Sequence, residues 1–401
     1  MESLRDGRVR TFLVAEAVSS IGTWATLIAI WGYAAYEFDA TPADVSLFGV
    51  ALTLPAVVLG PVVGTVIDRF GPRATLAAAK VAGVGASLAL LAADDFRTLA
   101  LLSGVHGAVG AFTNPALQSM PPRIVRAEEL ARTNALVSLT DEFAIVMGPV
   151  VGAVAIGTVG FQGAFVVDAL TYLVGLVALP IVRIRPIERV DTDPPVRFRD
   201  ALAGLDLVRR TPTLRRTVVA MSLVHLLYGA ALLAEPLYVR DVLERSPSVF
   251  AALQTVFGIC LVCSGLAVAR ANDRLATFGW VAFGAGASGV TAVVYLATTS
   301  IVIAFVGVSL WGFCTALLSG PSRTLLQRHS PERVHGRVLS TDFVAASTAQ
   351  LIGIGLAGVL IEALGVPVAM TLLGAGVAGV AAVLDRAQRH DSAMAPVASA
   401  P

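Results

Sequence analysis

Charged side chains are scarce in this sequence of 401 residues. Asp, Glu, Lys and Arg make up 14% of it, and Lys80 is the only lysine. Ordinary soluble domains carry about 25% charged residues. Hydrophobic residues make up 56%, and 37 glycines add to the apolar share. A soluble surface could not cover so much apolar sequence. The composition therefore excludes a cytosolic enzyme and a secreted domain, and it predicts a chain solvated by lipid.

Cysteine, net charge and nucleotide-binding loops are also scarce or missing. The three cysteines lie in apolar runs, so we expect no disulfide framework. Cys260 and Cys263 have C-x-x-C spacing, which we interpret as helix packing rather than redox or metal chemistry. A formal net charge of +1 does not favour nucleic acid as a partner. Three G-x-G-x-x-G stretches (284–289, 353–358 and 374–379) fall inside apolar runs, and no P-loop sequence occurs. We expect no cofactor and no metal.

Long apolar runs alternate with short polar hinges along the chain. A helix needs about 20 apolar residues to cross the hydrocarbon core of a bilayer. The pattern predicts an all-α integral membrane protein with twelve transmembrane helices. The predicted spans are residues 11–36, 45–67, 74–93, 98–120, 134–158, 160–182, 216–239, 247–269, 275–297, 299–320, 338–362 and 366–384.

The arginines orient these predicted spans. Of 28 arginines, 25 lie in the two terminal segments and in alternate loops, whereas the opposite loops hold only Arg97, Arg240 and Arg245. A bias of this kind is typical of cytoplasmic loops. We therefore expect both termini in the cytoplasm, with the basic start of the chain as a lead-in rather than a cleaved signal peptide. The excess of Arg over Lys, with abundant Ala, Gly and Val, indicates a bacterial cell (inner) membrane.

The longest polar stretch divides the predicted spans into two sets of six. We expect an N-terminal six-helix bundle over 1–182, a cytoplasmic linker over 183–215, a C-terminal six-helix bundle over 216–390 and a disordered tail over 391–401. Apolar residues recur at helical spacing in the linker, which indicates an amphipathic helix on the inner leaflet. The loops after the fourth and tenth spans share an order of proline, acidic residue, arginine and Thr-Asp. Internal repeats of this kind suit alternating access.

Residues 60–73 read GPVVGTVIDRFGPR and join the second and third predicted spans. Gly60 and Gly64 form a small-xxx-small face that lets helices approach closely. Gly-x-x-x-Asp-Arg-x-Gly-x-Arg at this loop resembles the signature of the major facilitator superfamily. The resemblance implies a fold of two six-helix halves and a conformational role for this loop. The residues that carry the role would be Gly64, Asp68, Arg69, Gly71 and Arg73.

Further motifs narrow the resemblance. Gly148-Pro149-Val-Val-Gly152 in the fifth span is similar to part of a glycine motif of drug:proton antiporters, which implies export. The same residues also predict a proline-kinked, tightly packed helix. Residues 165–172 and 327–340 resemble the macrolide-efflux and enterobactin-exporter-like group. The predicted conformational or gating set also includes Asp141, Gly148, Pro149, Gly152, Gly336, Arg337 and Asp342.

Ionisable groups inside the predicted spans are the first candidates for function, because a charge at mid-bilayer costs about 2.5–3.5 kcal/mol. Glu16, Ser19, Ser20 and Thr23 form one polar face of the first span, which we expect to line a wet cavity. We expect Lys80 to extend toward the membrane surface. The proton-coupling candidates are Glu16, Asp168, His225 and His106.

Alternatives stay open for several of these residues. Asp168 is equally suited to a structural hydrogen bond, and each histidine is more typical of a packing residue than of a relay. Asp141 and Asp342 favour gating salt bridges over proton sites. Aromatic and polar residues near mid-depth are candidates for the substrate cavity, although most such residues serve packing. The substrate-cavity candidates are Ser20, Thr23, Trp24, Asn114, Tyr228 and Trp311.

These features predict a secondary active transporter, not an enzyme, that exports an amphipathic small molecule in exchange for protons. The substrate would be an antibiotic, a siderophore or another metabolite or drug. Without a P-loop, transport must use an ion gradient or run downhill. The expected partners are this substrate, protons and the bilayer, with no nucleic acid and a monomeric chain. The alternatives are an importer or uniporter of the same fold and a non-transporting membrane receptor.

Overall fold

A computed structural model describes residues 7–38, 40–125, 127–181, 205–271, 275–330 and 335–394. The regular elements within those ranges are helices. The first seven are α1 (Gly7–Tyr36), α2 (Pro42–Phe70), α3 (Pro72–Ala89), α4 (Phe96–Gln118), α5 (Pro121–Ile124), α6 (Ala127–Val159) and α7 (Phe161–Ala178). The next six are α8 (Pro212–Leu237), α9 (Pro247–Ala271), α10 (Phe278–Leu296), α11 (Ile301–Arg328), α12 (His335–Leu364) and α13 (Val366–Met394).

Among the described residues, ten helices are long and apolar enough to cross a membrane. They are α1–α3 and α7–α13, which confirms the prediction of an all-helical membrane protein. Helix α4 is not among these ten because glycine, His106 and Asn114 interrupt its apolar residues. Helix α6 begins with a polar segment, and its described residues include the apolar stretch Phe143–Val159.

The connections follow from local backbone chemistry. Thr41 caps α2 by accepting the Asp44 N–H, and Asp44 accepts a bond from the Thr41 N–H in return, forming a capping box. Gly71 links α2 to α3 at φ 82°, a left-handed conformation that favours glycine. Asp95 caps α4 and accepts hydrogen bonds from the Thr98 N–H and hydroxyl, which hold the pKa of its carboxyl below the usual range.

The helices group into two compact units. The first unit contains Met1–Thr192 and Glu235–Gly258, and the second contains Asp193–Ala234 and Ile259–Pro401. Most of the linker predicted over 183–215 lies outside the described residues, although 205–210 are helical. Helix α13 extends to Met394, into the stretch predicted as a disordered tail, and residues 395–401 lie outside the described ranges.

The interior of the first unit depends on close approach of helices. Helix α1 packs against α6 and α7, and α3 packs against α4 and α7. A Cβ added at Gly148 would lie 3.1 Å from the backbone carbon of Trp24, and one at Gly152 would lie 3.3 Å from the Ala25 carbonyl oxygen. The Gly148-Pro149 segment of α6 therefore brings this helix against α1, as the packing interpretation of the motif predicts.

In the second unit, α10 packs against α11 and α13 through glycines. A Cβ at Gly289 would lie 3.0 Å from the Ala378 nitrogen, and one at Gly284 would lie 3.1 Å from the Leu318 nitrogen. A Cβ at Gly353 would lie 2.8 Å from the Leu226 carbonyl carbon. These glycines belong to the G-x-G-x-x-G stretches, which here allow close packing of helices.

Candidate functional site

A cluster of polar side chains lies inside the first unit, where α1, α3, α4 and α7 meet. Its ionisable members are nearly or fully buried: Lys80 and Asp168 are 0% exposed, Glu16 is 3% exposed and His106 is 5% exposed. Buried charges of this kind need partners, because desolvation costs several kcal/mol per ion. We call this group the polar cluster, and its members are Glu16, Ser19, Thr23, Lys80, Ser87, His106, Asp168 and Tyr172.

One end of the polar cluster is a buried ion pair between α1 and α3. The Lys80 Nζ donates to Glu16 Oε2 and to Ser19 Oγ, both at 3.0 Å. Gly175 of α7 makes room for the lysine, since a Cβ there would lie 2.7 Å from Nζ. The prediction that Lys80 extends toward the membrane surface is wrong. The carboxylate and the hydroxyl satisfy its ammonium group inside the helix bundle.

Asp168 of α7 forms the other end of the polar cluster. Ser87 of α3 donates to its Oδ2 at 2.7 Å, and Thr23 of α1 donates to its Oδ1 at 3.3 Å. The Nε2 atom of His106 lies 3.8 Å from Asp168 Oδ2. Thr23 also lies 3.4 Å from the hydroxyl of Tyr172, one turn further along α7. Asp168 therefore joins three neighbouring helices to its own through hydroxyl and imidazole groups.

The polar face predicted on the first span is present on α1, but it faces the interior of the first unit. Glu16 and Ser19 are buried against α3, whereas Ser20 and Thr23 are half-buried. The expectation of a wet cavity along the whole face is therefore wrong for Glu16 and Ser19. The reason is that Lys80 supplies a cationic partner on the neighbouring helix, which compensates the charge of the buried Glu16 carboxylate.

The predicted substrate-cavity residues are divided between the two units. Trp24 is half-buried beside Gly148, and Asn114 is exposed on α4, both in the first unit. Tyr228 and Trp311 belong to the second unit, where their ring centroids are 5.5 Å apart and Trp311 is buried. Ser20 and Thr23 lie on α1 with Trp24. Pairwise packing accounts for the aromatic members.

His225 differs from His106 in its surroundings. Its Nδ1 atom lies 2.9 Å from the carbonyl oxygen of Met221, one turn earlier on α8. His225 belongs to the second unit and is no member of the polar cluster. This placement matches the packing alternative for His225, while His106 lies next to a buried carboxylate.

Only part of the predicted gating motif lies among the described side chains. Gly71 forms the α2–α3 turn, Arg73 is half-buried, and the exposed Arg69 guanidinium lies 5.4 Å from the Phe70 ring centroid. Asp342 is half-buried in α12. The side-chain surroundings of the remaining positions lie outside the described residues; these positions are Gly64, Asp68, Asp141, Gly336 and Arg337.

Sequence reasoning missed a further buried carboxylate, Glu235 of α8. It is 4% exposed and accepts a 2.7 Å hydrogen bond from the Gln254 amide of α9. The signal was available, because Glu235 interrupts an apolar run directly before a proline. The nearby turn Tyr238–Val242 is π-helical, a geometry frequent at functional sites. It contains Arg240, whose guanidinium donates to the Ala35 carbonyl at the end of α1.

In the part of the chain that the structure describes, no group of three or more His, Cys, Asp or Glu side chains could hold a metal ion. The described cysteines are all free. The chemistry available in the polar cluster is therefore that of its own side chains. They are two carboxylates, one ammonium group, one imidazole and several hydroxyls, which can hold and move protons.

Known proteins share this architecture along nearly the whole chain. The multidrug efflux pump Tap of Mycolicibacterium fortuitum is 26% identical, with 99% of this chain and 100% of that protein covered. Macrolide efflux protein A of Streptococcus pyogenes is 22% identical, with 78% and 79% covered. A crystal structure of a bacterial homologue of the human lysosomal transporter Spinster, inward-facing and unoccupied, is 15% identical with a TM-score of 0.77, covering 96% of this chain and 98% of that one.

The signature loop and the efflux-type segments resembled one family, and the comparisons confirm it. Residues 12–341 match the family described as the Major Facilitator Superfamily. The similarity to a macrolide efflux protein agrees with the narrower resemblance of residues 165–172 and 327–340. This protein is therefore a multi-pass membrane transporter that belongs to the Major Facilitator Superfamily.

Proposed function

We propose that this protein exports an amphipathic small molecule from a bacterial cell in exchange for protons. The observation that carries the proposal is Asp168, a fully buried carboxylate that accepts hydrogen bonds from the Ser87 and Thr23 hydroxyls and lies near the His106 imidazole. Glu16 is compensated by Lys80, whereas Asp168 has no cation in direct contact among its described partners. Asp168 is thus the first candidate for the proton-binding group, with Glu16 as the second.

Proton binding at Asp168 couples naturally to a change of conformation. A carboxylate buried among helices is stabilised when it takes up a proton, because the cost of burying its charge disappears. The hydrogen bonds of Asp168 reach α1 and α3, so its protonation state alters how these helices are held against α7. A ligand shifts a conformational equilibrium only by binding the two states differently, and a proton at Asp168 meets that condition.

The proposal also covers the topology of the chain. We infer that α4 and α6 cross the membrane together with the ten apolar helices named above, which makes twelve spans in two halves. The halves would be 1–182 and 216–390, joined by the linker 183–215 and followed by the tail 391–401. The arginine distribution supports cytoplasmic termini in a bacterial inner membrane.

Two relatives support the export direction and the class of substrate. Tap is named a multidrug efflux pump, and the Streptococcus pyogenes relative is named a macrolide efflux protein. One name describes efflux of several drugs and the other efflux of macrolides, and we infer that the substrate here is likewise an amphipathic molecule. Because identity is 26% or lower, these names support export of this chemical class without specifying the compound.

Transport into inside-out membrane vesicles tests the proposal. We expect energised vesicles to accumulate at least one member of a panel of macrolides and amphipathic dyes, and a protonophore to abolish the accumulation. Asp168→Asn should lose accumulation, and Glu16→Gln should reduce it. The exposed carboxylate Asp94 in the α3–α4 hinge provides a matched control, Asp94→Asn, which should transport normally.

Three results would contradict the proposal. No gradient-dependent accumulation for the whole panel would refute export, and inward transport in whole cells would favour an importer. Accumulation that survives the protonophore would refute proton coupling. Full activity of both Asp168→Asn and Glu16→Gln would remove the two carboxylates from the coupling mechanism.

A further inference from the structure

We propose that His106 transfers protons between Asp168 and an ordered water held by Ser103, so that α4 supplies the proton pathway of the polar cluster. This deepens and rests on the proposed function, because a pathway has meaning only if Asp168 exchanges protons. His106 acts here as a relay, while Asp168 remains the group that stores the proton.

The position of both side chains on α4 supports this role. Ser103 and His106 are three residues apart, so they lie on the same face of the helix. Both are buried, with 0% and 5% exposure. The Nε2 atom of His106 lies 3.8 Å from Asp168 Oδ2, and its ring packs edge-on against Tyr172 with centroids 6.3 Å apart. A shift of about 1 Å would bring Nε2 within hydrogen-bond distance of the carboxylate.

The opposite side of the imidazole carries the second observation. His106 Nδ1 and Ser103 Oγ are buried polar atoms that find no hydrogen-bond partner among the described residues. Leaving such an atom unsatisfied costs about 1–3 kcal/mol, and native proteins commonly satisfy it with an ordered water. Two of these atoms on one helix face define a place for a water that bonds to both.

The proton balance of the relay is simple. A neutral imidazole has one N–H and one lone pair, on opposite sides of the ring. Protonated Asp168 passes its proton to Nε2 while the Nδ1 proton passes to the water. Asp168 is then a carboxylate, the imidazole is neutral again as the other tautomer, and the water carries the extra proton onward. The reverse sequence, in which the water returns a proton to Nδ1 and Nε2 passes its proton to Asp168, loads the carboxyl group and restores the starting tautomer.

The other ionisable groups around His106 are already engaged or lie further from the carboxylate. On α3, Lys80 bonds to Glu16 of α1 and to Ser19. On α7, the Tyr172 hydroxyl lies 3.4 Å from the Thr23 hydroxyl. The ionisable groups described on α2 are Asp44 and Arg69, which lie in its first and last turns. His106 is therefore placed between Asp168 and the predicted water.

The test compares two assays on the full-length protein in liposomes. Proton-driven transport needs Asp168 to load and unload, whereas substrate counterflow exchanges substrate without net proton movement. His106→Gln keeps the size and polarity of the side chain but cannot relay a proton. General acid–base groups contribute about 10²–10⁴-fold, so we expect at least a ~10-fold loss of proton-driven transport with normal counterflow. The solvent deuterium isotope effect on driven transport should rise as proton transfer becomes limiting.

Ser103→Ala provides a second variant that removes one partner of the water without changing the imidazole. We expect a smaller loss of proton-driven transport, again with normal counterflow. His225→Gln is the matched control, because His225 bonds to its own helix in the second unit and should behave as wild type in both assays. If His106→Gln fails to fold, Ser103→Ala decides the question.

Each failure has its own signature. Normal driven transport with an unchanged isotope effect in His106→Gln, or in Ser103→Ala where that variant decides, would overturn the relay and leave Asp168 as the carrier. Parallel loss of counterflow and driven transport would show a structural role and also overturn the relay. A wild-type protein with no proton-driven transport would instead refute the proposed function itself.

Discussion

The two units of this transporter differ in what they bury. The first unit encloses ionisable side chains on several helices: Glu16, Lys80, His106, Asp168 and Glu235. In the described part of the second unit, the one buried charged side chain is Arg216 in the first turns of α8. It bonds to Gln388 and Asp391 near the end of α13. Charge thus lies deep inside one unit and at a helix end in the other.

Hydrogen bonding differs in the same way. In the first unit, Ser87 and Thr23 donate to a carboxylate on another helix. In the second unit, Thr291 and Thr315 donate to carbonyl oxygens of their own helices, at 2.8 and 2.9 Å. Protonation of Asp168 changes its hydrogen bonds to the neighbouring helices. A hydroxyl that bonds to a carbonyl of its own helix does not link two helices. We therefore expect the proposed proton coupling to act on the first unit.

Removing Lys80, the buried cation of the polar cluster, should have the largest effect on stability. Lys80→Met leaves Glu16 buried without its counter-charge, and loss of one partner from a buried pair costs about 3–5 kcal/mol. We expect a reduction of that size in the free energy of unfolding, measured by denaturant titration in detergent.

The double variant Glu16→Gln with Lys80→Met is the control for this prediction. It removes both charges together, so it should recover most of the lost stability. If Lys80→Met is as stable as wild type, Glu16 does not depend on the lysine. The first unit would then lack the electrostatic core that distinguishes it from the second.

A methyl group between α10 and α13 should disturb the second unit to a lesser extent. Gly289→Ala places a Cβ 3.0 Å from the Ala378 backbone nitrogen, where neither helix can yield without moving. Overpacking of this kind costs about 1–3 kcal/mol. A fall in the melting temperature of the purified protein would measure the effect.

Gly286 on the same helix offers a matched control. A Cβ there would lie 3.7 Å from the Ala381 Cβ, which is ordinary van der Waals contact. Gly286→Ala should therefore be neutral, or stabilising by up to about 1 kcal/mol through helix propensity. Equal melting temperatures for both variants would mean that backbone contact between α10 and α13 does not hold the second unit together.

The smallest effect is expected at the charged pair of the second unit. Arg216→Gln removes the bond to Asp391, whose side chain is 55% exposed and keeps its hydration without the arginine. Exposed or partly exposed pairs contribute about 0–1 kcal/mol. An unfolding measurement that finds a loss as large as that of Lys80→Met would show that the two units do not differ in their dependence on buried charge.

Much of the fold could be predicted from the sequence because the bilayer imposes a length on every apolar run. Most of the described helices begin and end close to the predicted spans; α9, for example, covers Pro247–Ala271 where 247–269 was expected, whereas α13 continues to Met394 where an end at 384 was expected. Helix α4 was predicted as a span but is not among the ten apolar helices, because His106 and Asn114 interrupt its apolar residues. The glycine repeats signalled close packing, but not which backbone each glycine meets.

The candidate site was predictable only in part. Glu16, His106 and Asp168 stand out because an ionisable side chain in an apolar run is expensive. Their arrangement was not predictable, since Glu16 and Lys80 are 64 residues apart and Ser87 and Asp168 are 81 apart. His225 has the same sequence signal as His106, yet it bonds to its own helix.

Composition and run length were enough to predict a helical membrane protein, because both follow from the solvent in which a chain must fold. The prediction of a transporter rested on the resemblance of residues 60–73 to a family signature. The packing of the helices was needed to show that Lys80 donates a hydrogen bond to Glu16, and that Asp168 accepts hydrogen bonds from hydroxyls on α1 and α3. The sequence shows where a charged residue lies in an apolar run and so must be desolvated. Which groups compensate that charge depends on which helices pack together.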